Sequence, residues 1–195
     1  TSSCLPLRFS TNILLVIYIK KCLSMYIIMK IAICGKMCSG KTTLANYIMR
    51  TYSGYQKYAF ADKVKELCVE LFQMKGKDRS LLINFANKMR EIDSNIWINQ
   101  VLKQTRGETN CIIDDVRYQN EVDALIEDGW IIIQLHIPYE LQKSRIMKLY
   151  PDNFQDHLNA NNHISEKNMF TFPEGYPHLT LCLLYTSDAA DEEDS

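Results

Sequence analysis

Apolar positions along this chain alternate between two spacings. "KIAIC", Lys30 to Cys34, is a short apolar run that ends at a glycine, which predicts a buried strand. "TTLANYIMRTY" places apolar residues at 44, 45, 48 and 49, a helical spacing closed by Gly54. "YQKYAFA" alternates as a second strand. "DKVKELCVELF" then repeats apolar residues at 64, 67, 68, 71 and 72, predicting a helix with Asp62 as its N-cap. "CIID", 111 to 114, reads as a third buried strand, and "QNEVDALIEDG" as an amphipathic helix stopped by Gly129. "WIIIQLHI" is a fourth strand stopped by Pro138, and "YELQKSRIMKLY" a helix ending before Pro151. Strands alternating with helices imply parallel βαβ units. The pattern therefore predicts one α/β domain from Met29 to about Leu181.

Both ends fall outside that pattern. The last fourteen residues, "CLLYTSDAADEEDS", contain five acids and no base. Their first eleven, "CLLYTSDAADE", resemble the conceptual translation of a transposase-type sequencing adaptor. Residues 182–195 are therefore expected to be foreign, with the natural C-terminus missing. Upstream of Met29, the apolar run Ile13 to Ile19 is too short to span a bilayer. Lys20-Lys21 follow it, and no small-residue cleavage site is present. Residues 1–28 read as translated upstream sequence, with an appended strand or helix as the alternative.

Composition narrows the function classes. The 195 residues carry a net charge of −1, which argues against a strongly basic nucleic-acid binder. No membrane partner is expected. Of seven cysteines, Cys34, Cys38, Cys68 and Cys111 lie inside the domain, without the paired close spacing of a zinc site. Free thiols in a reducing cytoplasm are the plain reading. A homodimer is compatible with the sequence.

The chemistry starts at "ICGKMCSGKTTLANYI". Gly35-Lys36-Met37-Cys38-Ser39-Gly40-Lys41-Thr42 fits G-x-x-x-x-G-K-[ST], between an apolar strand and a helix. Glycines let the backbone curl so that N–H groups converge on a phosphate, and the helix N-terminus adds positive potential. Lys41 would reach the β- and γ-phosphates of ATP, Thr42 would offer its hydroxyl to Mg²⁺, and Thr43 follows in the first helical turn. The expected fold is a P-loop NTPase three-layer sandwich, a parallel sheet flanked by helices. Further on, the third strand ends in Asp114-Asp115 with Arg117 two residues later. A carboxylate there can hold Mg²⁺ or orient an acceptor, and Arg117 would face the same crevice.

Four further elements carry a resemblance. "FADKVK" (Phe60 to Lys65), "REIDSNIW" (Arg90 to Trp97), "DVRYQNE" (Asp115 to Glu121) and "HISE" (His163 to Glu166) follow the P-loop in order. With them the chain resembles the deoxynucleoside monophosphate kinases of bacteriophages and large DNA viruses. The resemblance implies transfer of the γ-phosphoryl group of ATP to a deoxynucleoside 5′-monophosphate. It implies Asp62, Lys65, Arg90 and Arg117 on the acceptor side, with Lys65 and Arg90 as clamps for the acceptor phosphate. Trp97 would stack on the base or fill the core. Arg145, after the fourth strand, would be a lid arginine touching ATP or part of a basic solvated helix. Two other readings stand beside it: another small-molecule kinase such as a dephospho-coenzyme A kinase, or a non-kinase nucleotide-binding ATPase. The sequence shows neither an N-K-x-D element nor a basic, aromatic-laced face for the last of these.

Overall fold

The computed structural model describes residues 5–7, 29–160, 170–176 and 178–183. In chain order the elements are β1 (Leu5–Leu7), β2 (Lys30–Gly35), α1 (Lys41–Thr51), β3 (Gln56–Tyr58), α2 (Phe60–Phe72), α3 (Arg79–Ile92) and α4 (Ile96–Gln104). Then come β4 (Cys111–Val116), α5 (Gln119–Glu127), β5 (Ile131–His136), α6 (Tyr139–Leu149), α7 (Phe154–Ala160) and β6 (Leu179–Leu183). The six strands form one sheet in the order β1-β6-β5-β2-β4-β3, and every pair is parallel. Strand β2 sits between β4 and β5, so the loop that leaves its C-terminal end opens in the middle of the sheet.

Period-two alternation decides what each face buries. Ile31, Ile33, Ile112 and Ile133 pack with Leu44, Ala45 and Ile48 of α1. Ala32, Cys34, Ile113 and Ile132 pack on the opposite face with Phe60, Val64, Trp97, Val101, Val122 and Leu125. With both faces covered, β2, β4 and β5 are buried along nearly their whole length, as parallel strands in three-layer folds are. This is the P-loop NTPase α/β sandwich that the sequence pattern predicts.

The structure departs from that pattern in four places. The second strand shrinks to three residues, because Ala59 turns the chain into a helix already begun at Phe60. Asp62 is not the N-cap of that helix; it lies in the first turn, with Ala59 at the cap position. Residues 79–92 and 96–104, for which the pattern above names no element, fold as α3 and α4. Asp78 caps α3 by accepting from the Leu81 N–H at 2.9 Å. Finally, the sheet runs past both expected boundaries. Strand β6 continues through Cys182 and Leu183, and β1, from the N-terminal segment set aside above, pairs Leu5 with Leu181 and Leu7 with Leu183. His163, Ser165, Glu166 and residues 184–195 lie outside the described residues. Among the described residues, no helix is long and apolar enough to cross a membrane.

Candidate active site

The loop after β2 has a geometry that few sequences tolerate. Gly35 has φ +141°, and a Cβ there would lie 2.5 Å from the Leu135 carbonyl oxygen and 3.0 Å from Ser39 Oγ. Gly40, at φ +87°, hands the chain to α1 from the left-handed region. Cys38 also sits there, at φ +60°, which costs a non-glycine residue of order 1 kcal/mol. The curled loop encloses the Lys41 ammonium, which donates to the Gly35 and Lys36 carbonyls at 2.7 Å each. Ser39 is buried, and its Oγ makes no hydrogen bond among the described residues. Thr42 and Thr43 are exposed on the first turn of α1. Cys34 lies directly beneath; burial pushes its thiol up to about 12, so it stays an inert neutral thiol.

The end of β4 adds two carboxylates with different duties. Asp114 is buried and pairs with Lys57 of β3 at 2.7 Å. Asp115 accepts the Phe60 N–H on Oδ1 and the Ala61 N–H on Oδ2, both at 3.0 Å. It is thus the carboxylate that caps α2, supplied from across the sheet rather than from the helix's own sequence. Burial raises its pKa, against the pull of the Ala61 and Phe60 N–H groups; Asp114 raises it further and Arg117 lowers it.

Next to it, Arg90 from the end of α3 meets Tyr118 and Glu121 at the start of α5 to form one corner. The Arg90 guanidinium lies 4.6 Å from the centre of the Tyr118 ring and 3.8 Å from Glu121 Oε1. Glu121 Oε2 accepts from the Arg117 N–H at 2.7 Å and the Tyr118 N–H at 3.0 Å, fixing the turn that presents Arg117. Asn120 Nδ2 reaches the Ser94 carbonyl and Asn95 Oδ1, both at 3.2 Å. So the segments around 60, 90 and 117, scattered in sequence, are tied together by hydrogen bonds at the C-terminal end of β4.

Glu121 is 3% exposed, and burial pushes its carboxyl from 4.5 up to about 7, although the two N–H groups and Arg90 favour its ionised form. The sign follows from linkage. Between pH 4.5 and 7 the folded chain holds a proton at Glu121 that the unfolded chain has lost, so this residue's contribution to stability falls as pH rises. Glutamine at 121 removes that titration. The melting temperature of Glu121→Gln minus that of the native chain should become more positive from pH 5 to pH 8. The linkage difference is on the order of 3 kcal/mol at most. Parallel melting curves that stay equally spaced across that range would show that Glu121 does not titrate there.

The remaining sequence candidates separate. Arg117 is exposed at the start of α5. Asp62 and Lys65 pair with each other at 2.9 Å on the exposed face of α2. Trp97 does not face a substrate: it is 2% exposed, donates its Nε1–H to the Ala86 carbonyl at 3.1 Å and packs on Phe85. Its ring has no open face for a base, so of its two readings the core one holds. Arg145 is half-buried on α6 and donates to the Cys38 carbonyl of the loop at 3.1 Å. Two residues were not anticipated. Glu121 hides its role because the cap it makes starts from a tyrosine. Gln142 donates to the Met37 carbonyl at 2.9 Å from a position 1% exposed. The signal for it was available: a polar residue four before Ile146, on the buried stripe of its helix.

Among solved structures, a gluconokinase from Sinorhizobium meliloti 1021 aligns at 13% identity and TM-score 0.47, over 81% of this chain and 84% of its own. TT1252 from Thermus thermophilus aligns at 18% identity and TM-score 0.47, over 82% of this chain and 90% of its own. No curated protein sequence matches the chain. The AAA domain family matches residues 31–162, from the first buried strand past the end of α7. Since that match spans well over half of the chain, the protein belongs to the AAA domain family.

Proposed function

We propose that this chain is an ATP-dependent kinase of deoxynucleoside 5′-monophosphates. The observation that carries the reading is the corner beside the P-loop. Three of the four elements that give the sequence its resemblance to that kinase family, around Phe60, Arg90 and Asp115, are held to one another through Asp115, Glu121 and Asn120. These bonds are helix caps and turn contacts, and they set Asp115 and Arg117 together at the C-terminal end of β4, the strand beside β2.

The residues fit a bound triphosphate. The loop is curled by Gly35 and Gly40, Lys41 is held inside it by two carbonyls, and the buried Ser39 hydroxyl has no hydrogen-bond partner among the described residues. In the proposed reaction Lys41 exchanges those carbonyls for phosphate oxygens, which neutralises charge where it builds up. Mg²⁺, when bound, neutralises charge on the β- and γ-phosphates. Thr42 and Asp115 would hold it; among the described residues no three His, Cys, Asp or Glu side chains gather into a closed metal site. Arg117, with Arg90 behind it on Tyr118, would take the acceptor phosphate. Placing the two phosphates in line then supplies most of the rate, since no covalent intermediate is needed.

The direct test is incubation with γ-labelled ATP and a panel of acceptors. Label on deoxynucleoside monophosphates is expected. Label on dephospho-coenzyme A, or only as free phosphate, would replace the reading with one of the two alternatives. A sharper prediction concerns Arg117. Lysine keeps the charge but loses the planar fork that grips two phosphate oxygens. Arg117→Lys should raise the KM for the monophosphate about ten- to a hundredfold, the worth of one charge-assisted contact, and that for ATP much less. Steady-state kinetics with each substrate varied in turn decides; a rise in the ATP KM alone would move Arg117 to the donor side.

A further inference from the structure

We infer that Gln142, on α6, sets the phosphate-binding conformation of the P-loop from outside. This rests on the nucleotide-binding half of the reading above and is independent of the acceptor. Within a trans peptide unit the C=O and the following N–H lie in one plane and point in opposite directions. Gln142 Nε2 holds the Met37 carbonyl toward α6 at 2.9 Å. The N–H of the same unit, that of Cys38, is thereby turned away from α6, and in this inference it is one of the donors that a phosphate would meet. Arg145, one helical turn on, holds the next carbonyl, that of Cys38, at 3.1 Å. Two successive peptide planes are thus fixed by one face of one helix, and the left-handed φ of Cys38 at +60° is the bend between them.

Gln142 is suited to this duty. It is 1% exposed, and it lies on the same face as Ile146, which anchors α6 in the core. A buried amide can donate one hydrogen bond in a fixed direction without bringing a charge near the phosphates. Gln142 is therefore a positioning residue: it touches the loop and not the nucleotide.

The experiment is calorimetric binding of ATP and of pyrophosphate at 15 °C to the native chain, Gln142→Met and Gln142→Glu, with melting curves alongside. Methionine keeps the length and the packing but cannot donate. Its Kd for both ligands should rise about tenfold, at a temperature where the protein is folded. Glutamate should bind worse than methionine at pH 8, where the carboxylate repels the Met37 carbonyl. It should regain affinity at pH 5.5 relative to the native chain, because a protonated carboxyl can donate. A residue that only packs would lower the melting temperature and leave both Kd values within twofold; that result overturns the inference. Failure of the native chain to bind either ligand overturns the nucleotide-binding reading and this inference together. Tight native binding with an unaffected Gln142→Met overturns this inference alone.

Discussion

Lys41→Ala is expected to abolish phosphoryl transfer while leaving the fold in place. The ammonium lies inside the loop curl, held at 2.7 Å by the Gly35 and Lys36 carbonyls. Those carbonyls hold it where a β- or γ-phosphate would take it over. Removing a preorganised charge of this kind costs at least about 10²–10³ in rate, or roughly 3–4 kcal/mol of transition-state stabilisation. The structural cost is small by comparison. Lys41 begins α1, where alanine is a better helix former, and the loop shape comes from Gly35 and Gly40 rather than from the side chain. The two carbonyls it releases can turn to water. The expected result is an unchanged circular dichroism spectrum, a melting temperature within a few degrees of native, and no label transferred from ATP. Native-level transfer by a folded Lys41→Ala protein would remove the phosphate-cradle assignment altogether.

How much of this could be read in the sequence depended on the range of the interaction. β2, α1, β4, α5, β5 and α6 were legible because local period and the residues that end them agree: Gly35, Gly40 and Gly129 stand where the backbone turns left-handed. The P-loop was legible for the same reason, since its chemistry is local. Helices α3 and α4 carry the same kind of signal, although the reading of the sequence names neither: apolar residues recur at 81, 82, 85 and 89 in α3 and at 97, 98, 101 and 102 in α4, the stripes that pack against α2 and the sheet. The N-terminus of α2 was misread because the sequence offered Asp62 as a cap, whereas the cap that forms is Asp115, more than fifty residues away. Trp97 could be read either way, since a tryptophan among isoleucines suits a pocket or a core equally; only the bond to Ala86 and the lost exposure decide it. Gln142 and Glu121 act through backbone groups of other segments, a relation that no spacing within one segment encodes.

Asp115 carries the second large prediction, because the structure gives it a duty that the sequence did not. Each of its oxygens accepts one backbone N–H of α2, at 3.0 Å, and each keeps another lone pair. It can therefore cap the helix and face Mg²⁺ or a bound water at once. Asparagine is nearly isosteric but places an NH₂ where one oxygen was, against an N–H that needs an acceptor. Loss of one charged cap contact should cost about 1–2 kcal/mol, which for a chain of this size lowers the melting temperature by roughly 2–8 °C. If the carboxylate also serves the metal, Asp115→Asn should reduce kcat by at least about 10² and raise the Mg²⁺ concentration needed for half-maximal activity. The two effects separate experimentally. Melting curves report the cap, and a Mg²⁺ titration of activity, run well below the variant's melting temperature, reports the metal. The expectation is that both move. A lower melting temperature with a superimposable Mg²⁺ curve would make Asp115 a helix cap alone. Asp114 is then a poor substitute, since it is buried and already neutralised by Lys57 at 2.7 Å. In that event the metal would rest on Thr42 and the phosphates, and the Mg²⁺ requirement should respond to Thr42→Ala instead.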